Sequence, residues 1–221
     1  MTAPWILALD TATTRIVVAV GPTDGSLMAA DAFEGRYRHS QELMPAVVGL
    51  LAAHDLAVRD LAGVVVGTGP GAFTGLRVGI ATAKTLAHEL RVPIVGIGTD
   101  AALLDAAGAG VPTLWLPSGP RDLVRVDRGR EPEVLHGAGA DAIGPNAAAV
   151  DLDGRAPAAA LERGRSAVED LPASLLRLGA SRLAGGDADD PERLVPRYAS
   201  PPRGMPVEAP DGGVAWSRDP R

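Results

Sequence analysis

Asp10 closes a short apolar run, Trp5 to Leu9, and is followed by Thr11, Ala12, Thr13 and Thr14. A carboxylate at the end of a strand can approach a bound magnesium ion while the amides of the next turn approach a phosphate. Turns of that kind generally need glycine where the backbone meets the ligand, and Thr11 and Ala12 stand there instead. The competing reading is an aspartate that caps its own turn, and the turn's composition favours it. A second candidate is the stretch GTGPGAFTGLRVGIATAK, residues 67–84. Glycines ahead of a helix can present free amides to an anion. The Gly-Lys-Ser/Thr ending of a P-loop is missing, however, and Gly67, Gly69 and Gly71 miss the G-x-G-x-x-G spacing of a dinucleotide site. A structural use of these glycines is expected.

Other reactive residue types are present without a partner at a useful spacing. His39, His54, His88 and His136 include no i, i+4 pair that could hold zinc on one helix face. No serine stands in a G-x-S-x-G elbow, and the chain has no cysteine. The acids Asp187, Asp189, Asp190 and Glu192 read as a solvated loop. The expectation is a chain without catalytic residues, metal or cofactor, with Asp10 and Thr11 as the residual nucleotide-binding candidates.

The elements that would position these residues alternate in type. Trp5–Leu9, Ile16–Val20 and Leu27–Phe33 read as three strands joined by short turns. A helix follows from about Ser40, a plausible N-cap, to His54, with Pro45 implying a late start or a bend. Leu43, Val47, Leu50 and Leu51 form its apolar side, and Met44 and Val48 widen the arc enough to predict cover on two sides. Leu61–Val66 is a fourth strand, and the Gly-rich stretch after it leads into a helix that runs to about Leu90 and carries two stripes. Leu76, Ile80, Ala83, Ala87 and Leu90 read as core-facing, whereas Gly75, Gly79 and Ala83 leave a groove for close approach of another backbone. Pro93–Ile97 and a short helix, Asp100–Ala107, complete a β-β-β-α-β-α-β-α order, which requires a mixed sheet with helices on its faces. The second half repeats this order in reduced form. Its strands are Thr113–Leu116, Leu123–Asp127, Glu133–His136 and Ala147–Leu152, and a helix opens at Leu171-Pro172 and runs to Ala184. The predicted division is a lobe over 1–105, a smaller lobe over 106–198, and a mobile tail over 199–221 anchored through Leu194, Val195 and Tyr198.

Length and composition bound the function. The 221 residues suffice for one large domain or two of about 100, and 46% hydrophobic against 22% charged residues is ordinary for a globular chain. A net charge of −6 argues against this chain alone gripping a nucleic-acid backbone. No leader pattern and no apolar run of about 18 residues is visible, so a cytoplasmic location without membrane contact is expected.

Three segments carry a family resemblance: ILALDTAT at 6–13, RHSQELMP at 38–45 and GPGAFTGLRVG at 69–79. They resemble the TsaB family, the bacterial subunit needed to make threonylcarbamoyladenosine in tRNA, with Ala72 and Val78 as mild departures. The likeness is specific over about 5–100 and weakens beyond. It implies two RNase H-like lobes of the actin/sugar-kinase/Hsp70 type. It also implies a non-catalytic scaffold that pairs with a TsaD-like catalytic subunit and a TsaE-like ATPase, meets tRNA only indirectly, and self-associates when alone. The pairing surface it implies lies on the first two helices, at His39, Leu43, Met44, Val47, Gly71, Phe73, Gly75, Leu76, Gly79 and Ala83. The alternative on the same fold is an ATP-binding kinase or ATPase using Asp10 and the Gly-rich turn.

Overall fold

The computed structural model describes residues 4–35, 38–119 and 121–199, together with the backbone of 206–208 and 214–216. The first half forms a five-stranded sheet of β1 (Trp5–Asp10), β2 (Arg15–Pro22), β3 (Ala29–Glu34), β4 (Leu61–Gly67) and β5 (Ile94–Ile97), in the order β3-β2-β1-β4-β5. β1, β2 and β3 pair antiparallel, and β1, β4 and β5 parallel. The second sheet, β8-β7-β6-β9, is built from β6 (Thr113–Pro117), β7 (Leu123–Asp127), β8 (Glu133–Leu135) and β9 (Ala148–Ala149). It repeats the plan: an antiparallel meander, then a parallel strand returning beside the first. This is an α/β architecture of two mixed sheets with helices on their faces, as the element order predicts.

Alternation along the strands assigns the layers. Leu7, Leu9, Ile16, Val18, Val64 and Val66 face one way, into a core closed by α1 (His39–Ala53) and α2 (Phe73–Leu90). Ile6, Ala8, Val17, Ala19 and Val65 face the other way, onto α3 (Thr99–Ala106) and α4 (Ala158–Ala184). That second core continues through Leu114, Leu116, Val124 and Val126 of the other sheet, so α4 lies between the two sheets. Gly179 of α4 makes this possible, because a Cβ there would stand 2.2 Å from Val65 Cγ2.

Several boundaries differ from the sequence reading. α1 starts at His39 with Arg38 at the cap position, so Ser40 is not the N-cap and the start is not late. The entry is instead fixed by backbone bonds from Arg38 to Gly35 and from Gln41 and Glu42 to Arg38, with an Arg38–Glu42 ion pair. Pro45 sits inside the helix, and the Gln41 carbonyl it leaves unbonded is on the exposed side, where water can take its place. α4 begins thirteen residues before the predicted start, which leaves Pro172 in its interior. Its buried stripe runs through Ala160, Gly164, Ala167, Leu171 and Leu175, and the small residues there carry little hydrophobic signal. The strand predicted over Ala147–Leu152 shrinks to two residues because Asp151 turns the chain at φ 55°.

The acids after α4 are not merely solvated either. The Asp189 N–H donates to Ile94 O, and its carboxylate accepts from Gly96 N–H and from Arg182. Residues 189–197 thus cover the exposed edge of β5, the kind of edge that otherwise invites another strand. Leu194 is buried there, whereas Val195 is exposed and anchors nothing. The predicted tail falls mostly outside the described residues; within it, β10 (Pro206–Glu208) and β11 (Val214–Trp216) pair antiparallel.

Candidate functional site

The turn after β1 and the start of α2 form one packed unit. Asp10 is wholly buried; its Oδ1 accepts the Ala12 N–H at 2.8 Å and its Oδ2 accepts the Thr99 hydroxyl at 2.6 Å. Burial pushes its carboxyl up to about 6, against the opposing effect of those two hydrogen bonds. Thr99 also accepts the Gly69 N–H, so one threonine ties the end of β1 to the Gly-rich turn. The turn-capping reading of Asp10 describes what its carboxylate does here.

The glycines serve that turn. Thr11 Oγ1 donates to Gly75 O at 2.7 Å, and the Ala72 N–H donates to Ala12 O at 2.7 Å. A Cβ at Gly71 would stand 2.2 Å from Ala12 O, one at Gly75 2.1 Å from Thr11 O, and one at Gly79 2.3 Å from Thr11 Oγ1. The groove expected to receive a neighbouring helix is therefore filled by the chain's own Thr11 and Ala12. The same contact takes the Ala72 N–H, the donor just ahead of α2.

The residues named for pairing separate into two sets. His39, Leu43 and Val47 are buried under α1, and Gly75, Leu76, Gly79 and Ala83 under α2. These seven face the chain's own core, because each helix needs one full side to cover the sheet. Met44, Gly71 and Phe73 face outward, joined by Val48, which is 50% exposed. The predicted second cover of α1 is absent among the described residues. At the N-terminal end of α2 the Arg77 guanidinium lies 3.8 Å from the Phe73 ring centroid. Tyr198 packs on the same ring at 5.0 Å and accepts a hydrogen bond from Arg77 Nε at 3.0 Å. His39 Nε2 is buried without a hydrogen-bond partner among the described residues, against Gly35.

Comparison with known proteins fixes the family. A family model described as TsaD, tRNA N6-adenosine threonylcarbamoyltransferase, matches residues 35–155, more than half of the chain. The chain belongs to this family. Within the family it is TsaB-like, as the sequence motifs implied. It is 39% identical over 94 residues to TsaB, the tRNA threonylcarbamoyladenosine biosynthesis protein of Bacillus subtilis, a match spanning 42% of this chain and 41% of that one. An uncharacterized protein of Mycobacterium tuberculosis is 34% identical over 211 residues, spanning 91% of this chain and 94% of that one. Among solved structures, YeaZ from Pseudomonas aeruginosa superposes with a TM-score of 0.63 at 20% identity, covering 88% of this chain and 99% of that one. That likeness bears on the fold. No helix among the described residues is long and apolar enough to cross a membrane.

Sequence reasoning placed Val48 on the widened arc of α1 and Tyr198 at the root of the tail, but named neither for this surface, and it left out Thr99 and Arg77. Val48 was available as the i+4 neighbour of Met44. Thr99, Arg77 and Tyr198 join the turn and α2 from 89, 4 and 125 positions away from Asp10 and Phe73, and only Arg77 is local enough for helix spacing to find.

Proposed function

We propose that this chain is the pairing subunit of a complex that threonylcarbamoylates the tRNA adenosine beside the anticodon. It performs no reaction of its own. The outer sides of α1 and α2, through Met44, Val48, Phe73 and Gly71, dock on a TsaD-like catalytic subunit, and a TsaE-like ATPase joins that pair. Without the catalytic subunit, the same surface supports a homodimer. The names of its TsaB relatives support the process.

The observation that carries the role is how the two helices divide their surfaces. Their glycines and the adjoining turn are consumed by internal packing, while Met44, Val48 and Phe73 remain turned to solvent. Large apolar side chains grouped on adjacent helices are costly to leave in water and gain most from a partner. A stable interface needs on the order of 1,200–2,000 Å² in total, more than these side chains supply, so the neighbouring polar rim must take part. The Phe73–Arg77–Tyr198 cluster supplies the aromatic and arginine chemistry common at interface centres.

Val48→Asp tests the surface without disturbing the fold, since Val48 touches solvent. The unfolding temperature should stay within about 2 °C of wild type, while co-elution with a TsaD-like subunit should be lost. Retained co-elution would remove α1 from the interface. Calorimetric titration with ATP addresses the kinase reading: micromolar binding abolished by Asp10→Asn would overturn the scaffold role.

A further inference from the structure

Arg197 and Tyr198 are neighbours in the chain, yet their side chains meet different parts of the molecule. Arg197 Nη1 lies 3.3 Å from Asp100 Oδ1 on α3, and its Nη2 lies 3.5 Å from Glu131 Oε2 in the turn between β7 and β8. Asp100 is buried and Glu131 exposed, so the guanidinium bridges α3 to a turn of the second sheet. Tyr198 packs on Phe73 with ring centroids 5.0 Å apart and accepts a hydrogen bond from Arg77 Nε at 3.0 Å, both on the outer side of α2.

Backbone contacts keep the two residues from moving independently. Leu194 is buried against β5, where a Cβ at Gly96 would stand 2.5 Å from its Cδ1. The Arg197 N–H donates to Thr68 O at 2.7 Å, and a Cβ at Gly69 would stand 2.6 Å from Arg197 O. Pro196 fixes a backbone torsion between these anchors. Residues 194–198 thus form a short strap beside the turn that leads into α2. A cavity of about 340 Å³, lined by Thr68, Gly96, Arg193, Val195 and Arg197 among others, opens next to it. A gap of that size forfeits packing contacts and leaves the strap free to shift as a unit.

The chemistry of the two ends decides which one leads. Arg197 holds a buried carboxylate, a contact costly to break, because a charge left behind in the interior has no partner. The contacts of Tyr198 lie at the surface, where water competes for them. Arg197 is therefore the positioning residue and Tyr198 the positioned one.

We propose that residues 194–198 couple the second sheet to the outer surface of α2: Arg197, held by Asp100 and Glu131, keeps Tyr198 on Phe73 and Arg77 and so sets the surface that a partner meets. The partner half of this inference rests on the pairing role proposed above, whereas the coupling is internal to the chain. A subunit docked on Phe73 and Tyr198 in turn steadies Arg197 and the β7–β8 turn, because linkage is reciprocal.

A double-variant cycle on the full chain tests the strap. Arg197→Gln removes the charge and keeps the backbone bond to Thr68, and Tyr198→Ala removes the ring. Exchange of the Arg77 Nε–H with water is followed by NMR, and affinity for a TsaD-like subunit by calorimetry. Arg197→Gln should speed that exchange and weaken that affinity by about threefold or more each. In the Tyr198→Ala background the same substitution should change neither. Glu131→Gln, on an exposed side chain, should move both readouts in the same direction by less, and it carries the cycle should Arg197→Gln fail to fold. Effects that persist undiminished without Tyr198, or an Arg77 signal unchanged in every folded variant, would overturn the proposal. A wild-type chain that binds no TsaD-like subunit would overturn the pairing role, and the NMR arm would still decide the coupling.

Discussion

Asp10 shows how a residue with the look of chemistry becomes structural. Its carboxyl, pushed up to about 6 by burial, holds its proton more firmly in the folded chain than in the unfolded one. Stability should therefore fall as pH rises from about 4 to about 6 and level off above, a loss of about 3 kcal/mol at 1.36 kcal/mol per unit. Asp100 is also raised, by burial against the opposing charge of Arg197, so the wild-type slope is shared. The difference between wild type and Asp10→Asn isolates Asp10: denaturant melts should show a flatter profile for the variant between pH 4 and 6. An identical slope would mean that Asp10 titrates normally. The helix glycines permit a test by sign. Gly75→Ala should destabilise by about 2 kcal/mol, because its Cβ meets the Thr11 carbonyl oxygen. Gly49→Ala in α1, with nothing within 4 Å, should stabilise by up to about 1 kcal/mol.

Among the elements, legibility followed the strength of the hydrophobic signal. Four strands of the first sheet, β1, β2, β4 and β5, were readable because Leu, Ile and Val crowd them, whereas β3, which holds none of the three, was read as Leu27–Phe33 and runs from Ala29 to Glu34. The core side of α2 was readable from its spacing, and Leu76, Ile80, Ala83 and Ala87 are indeed buried. The first thirteen residues of α4 were not, since Gly164 and Ala167 face the core by being small. A Cβ at Gly164 would stand 1.8 Å from Ala149 O, so close approach, which has no sequence period, selects the residue. The glycines of α2 misled for the same reason: their need for clearance was legible, but the identity of the neighbour was not. The edge cover of β5 was equally hidden, because Asp189 reaches Gly96 across 93 positions. Asp189→Ala removes bonds to that backbone N–H and to Arg182, and should lower stability by about 2 kcal/mol in denaturant melts. No change would show that the segment after α4 holds itself.

At the scale of the whole molecule, two sheets of one plan enclose α4, and contacts from two sides hold the turn after β1. Thr11 and Ala12 pack against Gly71, Gly75 and Gly79, and Asp151, after β9, engages Thr14. Met44, Val48 and Phe73 on α1 and α2 remain turned outward. The most direct measurement is a reconstituted modification reaction, with the TsaD-like subunit, the TsaE-like ATPase, a threonylcarbamoyl-adenylate source and tRNA, scored by mass spectrometry of the tRNA nucleosides. Wild-type chain should restore modification, and the folded Val48→Asp variant should leave it at the level seen without the chain. Modification that proceeds equally well without the chain would contradict the account.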